Sequence, residues 1–174
     1  EGERYEDAVF MITQLASLFR ISLSRGKTII SVEDEIKHAK NYMNIQKIRY
    51  KNSFAIDFSI EEEILHCCTV KLVVQPLLEN ALIYGIQPRI DGGMVSIKGE
   101  YTEGVFQLCV SNPCDPLAEQ QPSRGTHQAL ANIEARLTAL FGPNASLSVD
   151  RRDGRHYTCL RYPCARLMQE ARAI

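Results

Sequence analysis

Apolar positions between about Tyr5 and Arg25 recur at alternating spacings of three and four: Val9, Ile12, Ala16, Phe19 and Leu23, with Ala8, Leu15 and Leu18 widening the stripe. The spacing predicts a heptad-like seam on a helix of about 20 residues, roughly 30 Å long. One helix cannot bury such a stripe alone, so a partner helix is expected from a second subunit or from sequence before Glu1. Gly26 stops the pattern. Ser31, with Asp34 in the capping-box position, starts a second helix that runs to about Arg49. Ile36, Ala39, Met43 and Gln46 mark one of its faces, and Tyr42, Ile45 and Arg49 the neighbouring one.

After Lys51-Asn52-Ser53, the alternation of Phe54, Ile56, Phe58 and Ile60 with Ala55, Asp57 and Ser59 predicts a half-buried strand. The acidic run Glu61 to Glu63 connects it to a helix in which Leu72, Val73, Leu77 and Ala81 form a core stripe, while Pro76, Asn80, Ile83 and Tyr84 share the adjacent face. Pro76 is expected near the first turn, where a missing backbone donor costs little, or at a kink. Strands follow at Met94 to Tyr101 and Val105 to Ser111, joined at Thr102-Glu103-Gly104. A proline-rich polar loop spans Asn112 to Arg124. Leu130, Ile133, Leu137 and Leu140 mark a helix closed by Phe141-Gly142-Pro143, and Ser146 to Arg151 and Tyr157 to Tyr162 flank the hairpin signal Asp153-Gly154. Antiparallel hairpins with packing helices predict an α+β two-layer sandwich rather than a doubly wound parallel sheet.

With 20 basic and 21 acidic residues among 174, the formal charge of −1 offers no global field for nucleic acid or an anionic membrane surface, so phosphate recognition must be local. No apolar run approaches the roughly 20 residues that span a bilayer. None of the six cysteines pairs at a two-residue gap, and they read as reduced, mostly buried thiols. The opening Glu1 and the abrupt first helix predict that the chain is a piece of something longer.

Candidate chemistry lies where polar groups interrupt apolar runs. Glu79 and Asn80 stand side by side inside a helical stretch. Asn80 suits a neutral oxygen ligand for a hard cation such as magnesium, and Glu79 a carboxylate that holds or deprotonates a nucleophile; the bland alternative is a half-buried polar pair satisfied by backbone. Asn112, where an apolar strand meets the loop, can both accept from and donate to a base edge, or simply initiate a turn before Pro113. The segment Arg124-Gly125-Thr126-His127-Gln128-Ala129-Leu130 opens a helix after the loop, where backbone donors can face phosphates, or where Thr126 merely caps. A Walker A loop is absent.

In this order the motifs resemble the catalytic domain of a sensor histidine kinase, in the GHKL superfamily shared with gyrase, Hsp90 and MutL, and within it the LytS/YesM type. The run Tyr42-Met43-Asn44-Ile45-Gln46-Lys47-Ile48-Arg49-Tyr50 resembles that group's linker helix, Leu72 to Gly85 its N box, and Leu130 to Leu137 the helix after its second glycine box. The likeness covers roughly Ile12 to Tyr162. It implies the Bergerat ATPase fold preceded by N-terminal helices, with residues 1–50 as the second helix of a dimerisation hairpin plus linker and residues 51–174 as the ATP-binding domain.

The resemblance further implies ATP and Mg²⁺ as cofactors. Asn80 would ligate the ion and Glu79 assist phosphoryl transfer; Tyr84 would line the nucleotide, Asn112 would meet adenine, and Gly125, Thr126, His127, Gln128, Ala129 and Leu130 would lie along the phosphates. The loop Asn112 to Arg124 would be the ATP lid. Asn112 replaces the usual Asp, Pro113 and Cys114 replace glycines after it, and His127 and Ala129 stand where glycine is usual, which implies weaker affinity. The implied partners are a response regulator and a second subunit, with a phosphoacceptor histidine outside these residues and the cytoplasmic side of a membrane-bound sensor as location. His38, His66 and His156 read as surface or packing residues. A non-catalytic GHKL interaction module and a GHKL protein-serine kinase are the alternatives.

Overall fold

The computed structural model describes residues 9, 12, 13, 16, 28–51, 53–114 and 124–164, the last span without the side chains of 124–127. Val9, Ile12, Thr13 and Ala16 are helical and exposed. The rest of the expected first helix, and residues 115–123 of the loop expected to be the ATP lid, lie outside the described residues.

A short strand β1 (Ile29–Ser31) leads into helix α1 (Val32–Arg49). Ser31 caps α1 as expected, its Oγ accepting from the Asp34 N–H at 3.0 Å. The helix turns Val32, Ile36, Ala39 and Met43 inward. His38 is buried there too, with Nδ1 lacking a partner among the described residues, so it is a packing histidine.

Strand β2 (Phe54–Ile60), a short 3₁₀ turn at Glu62–Ile64 and strand β3 (Cys68–Val70) follow. Pairing of β1 with β3 makes a two-stranded antiparallel sheet that the sequence did not signal, because three residues are too few to show alternation. Helix α2 (Val74–Asn80) runs directly into a π-helical turn at Ala81–Ile86. Strands β4 (Gly93–Thr102) and β5 (Val105–Pro113), helix α3 (Arg124–Phe141), and strands β6 (Ser146–Arg152) and β7 (Arg155–Pro163) complete the order.

The main sheet has the strand order β2-β4-β5-β7-β6. Both tight hairpins form where expected. Glu103 and Gly104 take φ of 52° and 83°, and Asp153 and Gly154 take 53° and 69°, the positive-φ pairs that match the twist of the flanking strands. All ladders are antiparallel except β2 with β4. That parallel pair follows from the intervening helix α2, since a crossover returns the chain in the same direction. One face of the sheet, with Val95, Ile97, Phe106, Leu108, Val110 and Leu160, meets Met43, Leu77, Leu82 and Leu137 from the helices in a single core. Tyr162 anchors it, stacked on Phe141 at 4.2 Å and donating its hydroxyl to Thr69 Oγ1 at 2.7 Å. The result is the expected α+β two-layer arrangement.

The cysteines depart from the expectation of reduced thiols. Cys67 is bonded to Cys164 and Cys109 to Cys159, pairs separated by 97 and 50 residues. The cause is register: β5 and β7 set Cys109 directly opposite Cys159, with Cα atoms 4.1 Å apart, which spacing along the chain cannot show. Cys68, buried, and Cys114, half-buried, remain thiols.

Candidate functional site

The site begins at the turn that launches α2. Leu72, expected inside the helix, instead takes φ of 58°, and the helix starts only at Val74. A leucine in left-handed backbone costs energy and ends the extended segment abruptly. Pro76 falls in the first turn, where its missing N–H would have had no intrahelical partner. Val73 caps the helix without a side-chain bond, so the first amides of α2 are served from elsewhere: the Glu35 carboxylate of α1 accepts from Leu72 N–H at 2.9 Å and Val74 N–H at 2.8 Å.

Consecutive residues on a helix point roughly 100° apart, and this separates Glu79 from Asn80. Leu77, Leu78, Ala81 and Leu82 fill the core, while Glu79 and Asn80 are half-buried and Tyr84 is exposed. Glu79 looks toward α1. It helps line a cleft of about 350 Å³ together with Tyr42, Gln46, Arg49 and Tyr50 of α1 and Ile83 of the π turn. Gln75 Nε2 donates to Glu79 Oε1 at 2.8 Å, which fixes the carboxylate over its own helix. Burial raises the Tyr42 hydroxyl pKa well above the ordinary tyrosine range, and the Glu79 charge adds to the effect. Tyr42 and Arg49 were legible only as one face of a helix; their meeting with Glu79 depends on how α1 docks.

On another side of the same element, Gly85 meets Asn112. A Cβ placed on Gly85 would stand 2.3 Å from Asn112 Nδ2 and 2.7 Å from its Cβ, so only glycine allows this approach. Asn112 is 4% exposed and paired with His156 within β5, hence it is not a turn residue. Its Nδ2 donates to the Pro113 carbonyl at 2.8 Å. One of the two Nδ2 hydrogens is thereby engaged. Arg155 braces this strand end from β7, donating to Ser111 Oγ at 2.9 Å and to the Ser111 carbonyl at 3.3 Å.

Gly125, Thr126 and His127 belong to the first turn of α3, which begins at Arg124, and their side chains lie outside the described residues. Gln128 is exposed, and Ala129 and Leu130 are half-buried. The helix reaches the α2 region through Arg136, whose Nη2 donates to the Lys71 carbonyl at 2.7 Å. Among the described residues no three His, Cys, Asp or Glu side chains converge to hold a metal ion. Neither Glu35 nor Arg136 was singled out by the sequence; the available signal was an acid at position 35, within the inward-facing stripe of α1.

A histidine-kinase family model matches residues 2–54. The sensor histidine kinase YesM of Bacillus subtilis is 27% identical over 141 residues, covering 80% of this chain and 24% of the relative. The sensor protein LytS of Staphylococcus epidermidis is 24% identical over 167 residues, covering 89% of this chain and 28% of the relative. The chain thus spans about a quarter of the length of the curated relatives it matches. In three dimensions it is similar to the catalytic domain of histidine kinase ThkA, with a TM-score of 0.59 at 16% identity over 78% of this chain and 96% of that one. Among the described residues no helix is long and apolar enough to cross a membrane. The chain is thus similar in sequence to the sensor histidine kinases YesM and LytS, and its mixed helix–sheet fold matches that of a histidine-kinase catalytic domain.

Proposed function

We propose that this chain is the ATP-binding kinase core of a two-component sensor, passing the γ-phosphoryl group of ATP to a histidine from which a response regulator receives it. The observation that carries the proposal is the approach of Gly85 to Asn112, which sets an amide suited to adenine against the element bearing Glu79, Asn80 and Tyr84. Asn112 Oδ1 would accept from the adenine amino group, with one Nδ2 hydrogen held by the Pro113 carbonyl. Tyr84, exposed beside Gly85, would lie along the nucleotide. The open amides at the start of α3 would face the phosphates, where a helix N-terminus favours negative charge. Asn80 would hold magnesium, which when bound neutralises phosphate charge. Glu79, turned toward the α1 cleft, would orient the attacking imidazole and hold its proton as the ring nitrogen displaces ADP.

In this reading residues 1–50 supply the dimerisation and linker part and residues 51–174 the ATP-binding part. The acceptor histidine comes from another segment. The cytoplasm is the expected location.

His127 and Ala129, in positions where glycine would let the backbone close on phosphate, favour a second reading as an interaction module without catalysis. Incubating the chain with γ-labelled ATP and a separate phosphoacceptor hairpin from a LytS-type relative separates the two. Acid-labile label on the hairpin is expected, abolished by Glu79→Gln in a folded protein. Unlabelled hairpin at millimolar ATP would establish the module instead.

A further inference from the structure

One buried charge has no part in the chemistry above. Glu35 lies on the inner face of α1, 1% exposed, between the core residues Val32 and Ala39. A carboxylate is retained in such a place only when its oxygens are matched. Both are: Oε2 takes the Leu72 N–H at 2.9 Å and Oε1 the Val74 N–H at 2.8 Å. Burial raises its pKa, opposed by the N–H groups of Val74, Leu72 and Val73 and by the positive charge of Arg136.

Arg136 grips the same turn from α3, through the Lys71 carbonyl. Residues 71–74 are therefore held from two helices at once. This is the turn with Leu72 in left-handed backbone, and α2 leaves it with no side-chain cap of its own. From Val74 to Asn80 the path is one short helix of seven residues, about 10 Å long at the usual rise. Too short to bend, it carries any movement of its first turn to Glu79 and Asn80. At its other end α1 meets the same element again, across the cleft where Tyr42 and Arg49 face Glu79. Asn112 is held differently, by the β5 ladder and by Arg155 bracing the adjacent Ser111.

We propose that Glu35 and Arg136 are positioning residues that clamp the turn at residues 71–74, so that the register of α1 against α2 sets where Asn80 and Glu79 stand. A shift of α1 against α2 would loosen the magnesium and phosphate half of the site, while Asn112, held by the β5 ladder, keeps the adenine half. This rests on the nucleotide-site reading above.

The test uses the 174-residue chain and two probes, Mg–AMPPNP and AMP, titrated by NMR alongside thermal melts. Glu35→Gln keeps side-chain volume and one acceptor oxygen while turning an amide N–H₂ toward the other backbone donor. Arg136→Met removes the second tie from an exposed position, so the test stands even where the glutamine variant does not fold. Affinity for Mg–AMPPNP is expected to fall about tenfold or more, as for lost outer-shell support of a metal ligand, with AMP affinity unchanged. A general loss of stability would weaken both probes alike. Folded variants that bind both as the wild type does, or that lose both equally, would overturn the clamp while leaving the nucleotide site standing. A wild-type chain that binds neither probe would instead overturn the nucleotide reading, and the clamp with it.

Discussion

Asn80→Ala is expected to remove the magnesium-dependent part of nucleotide affinity, a loss of about ten- to a hundred-fold for an ATP analogue in excess Mg²⁺. Affinity measured in EDTA should be almost unaltered. Among the described residues no cluster of His, Cys, Asp or Glu offers the ion another seat, so on the proposed reading deleting the amide oxygen would leave it with nucleotide and water. Asn80 is half-buried beside Ala81, and alanine fills its helical position well, so the fold should tolerate the change. Calorimetric titration with and without Mg²⁺ reads the ratio directly. An unchanged ratio would assign the ion to other ligands.

Gly85→Ala should be the most damaging single-methyl change in the site. The added carbon would sit 2.3 Å from Asn112 Nδ2 and 2.7 Å from both Cβ and Cγ of that residue. Asn112 cannot swing aside freely, being 4% exposed and bonded to the Pro113 carbonyl. Overpacking of this kind costs about 1–3 kcal/mol. The displaced amide also loses its place for adenine, so both melting temperature and AMP affinity should drop. A variant that melts like the wild type and still binds AMP would show that Asn112 can move without consequence.

The parts of the fold that read cleanly from sequence are those governed by local rules. Ser31 with Asp34, the Asp153-Gly154 turn and the alternation of Phe54 to Ile60 each draw on contacts within a few residues, and each stands where expected. Leu72 was misplaced because its left-handed backbone is imposed by the turn around it, against the preference of leucine. The β1–β3 sheet and both disulfides depend on register between distant segments, which periodicity does not encode.

The candidate site divides in the same way. Glu79, Asn80 and Asn112 were visible as polar residues in apolar runs, and the structure brings Asn112 against the element that carries the other two. What could not be seen is that Glu79 lines the α1 cleft whereas Asn80, one residue on, is not among the residues lining it. Glu35 and Arg136 were hidden for a related reason. A buried acid in an amphipathic helix looks like an ordinary polar position until the amides it binds, 37 and 39 residues further along at the turn into α2, are placed beside it.

Titration of the unaltered chain with AMPPNP, in Mg²⁺ and in EDTA, tests whether these elements form a magnesium-nucleotide site. Saturable binding that tightens at least several-fold with magnesium, with the largest NMR shifts at Asn80, Gly85 and Asn112, is the predicted result. No binding at millimolar nucleotide, or binding that ignores magnesium and perturbs none of those three residues, would contradict it.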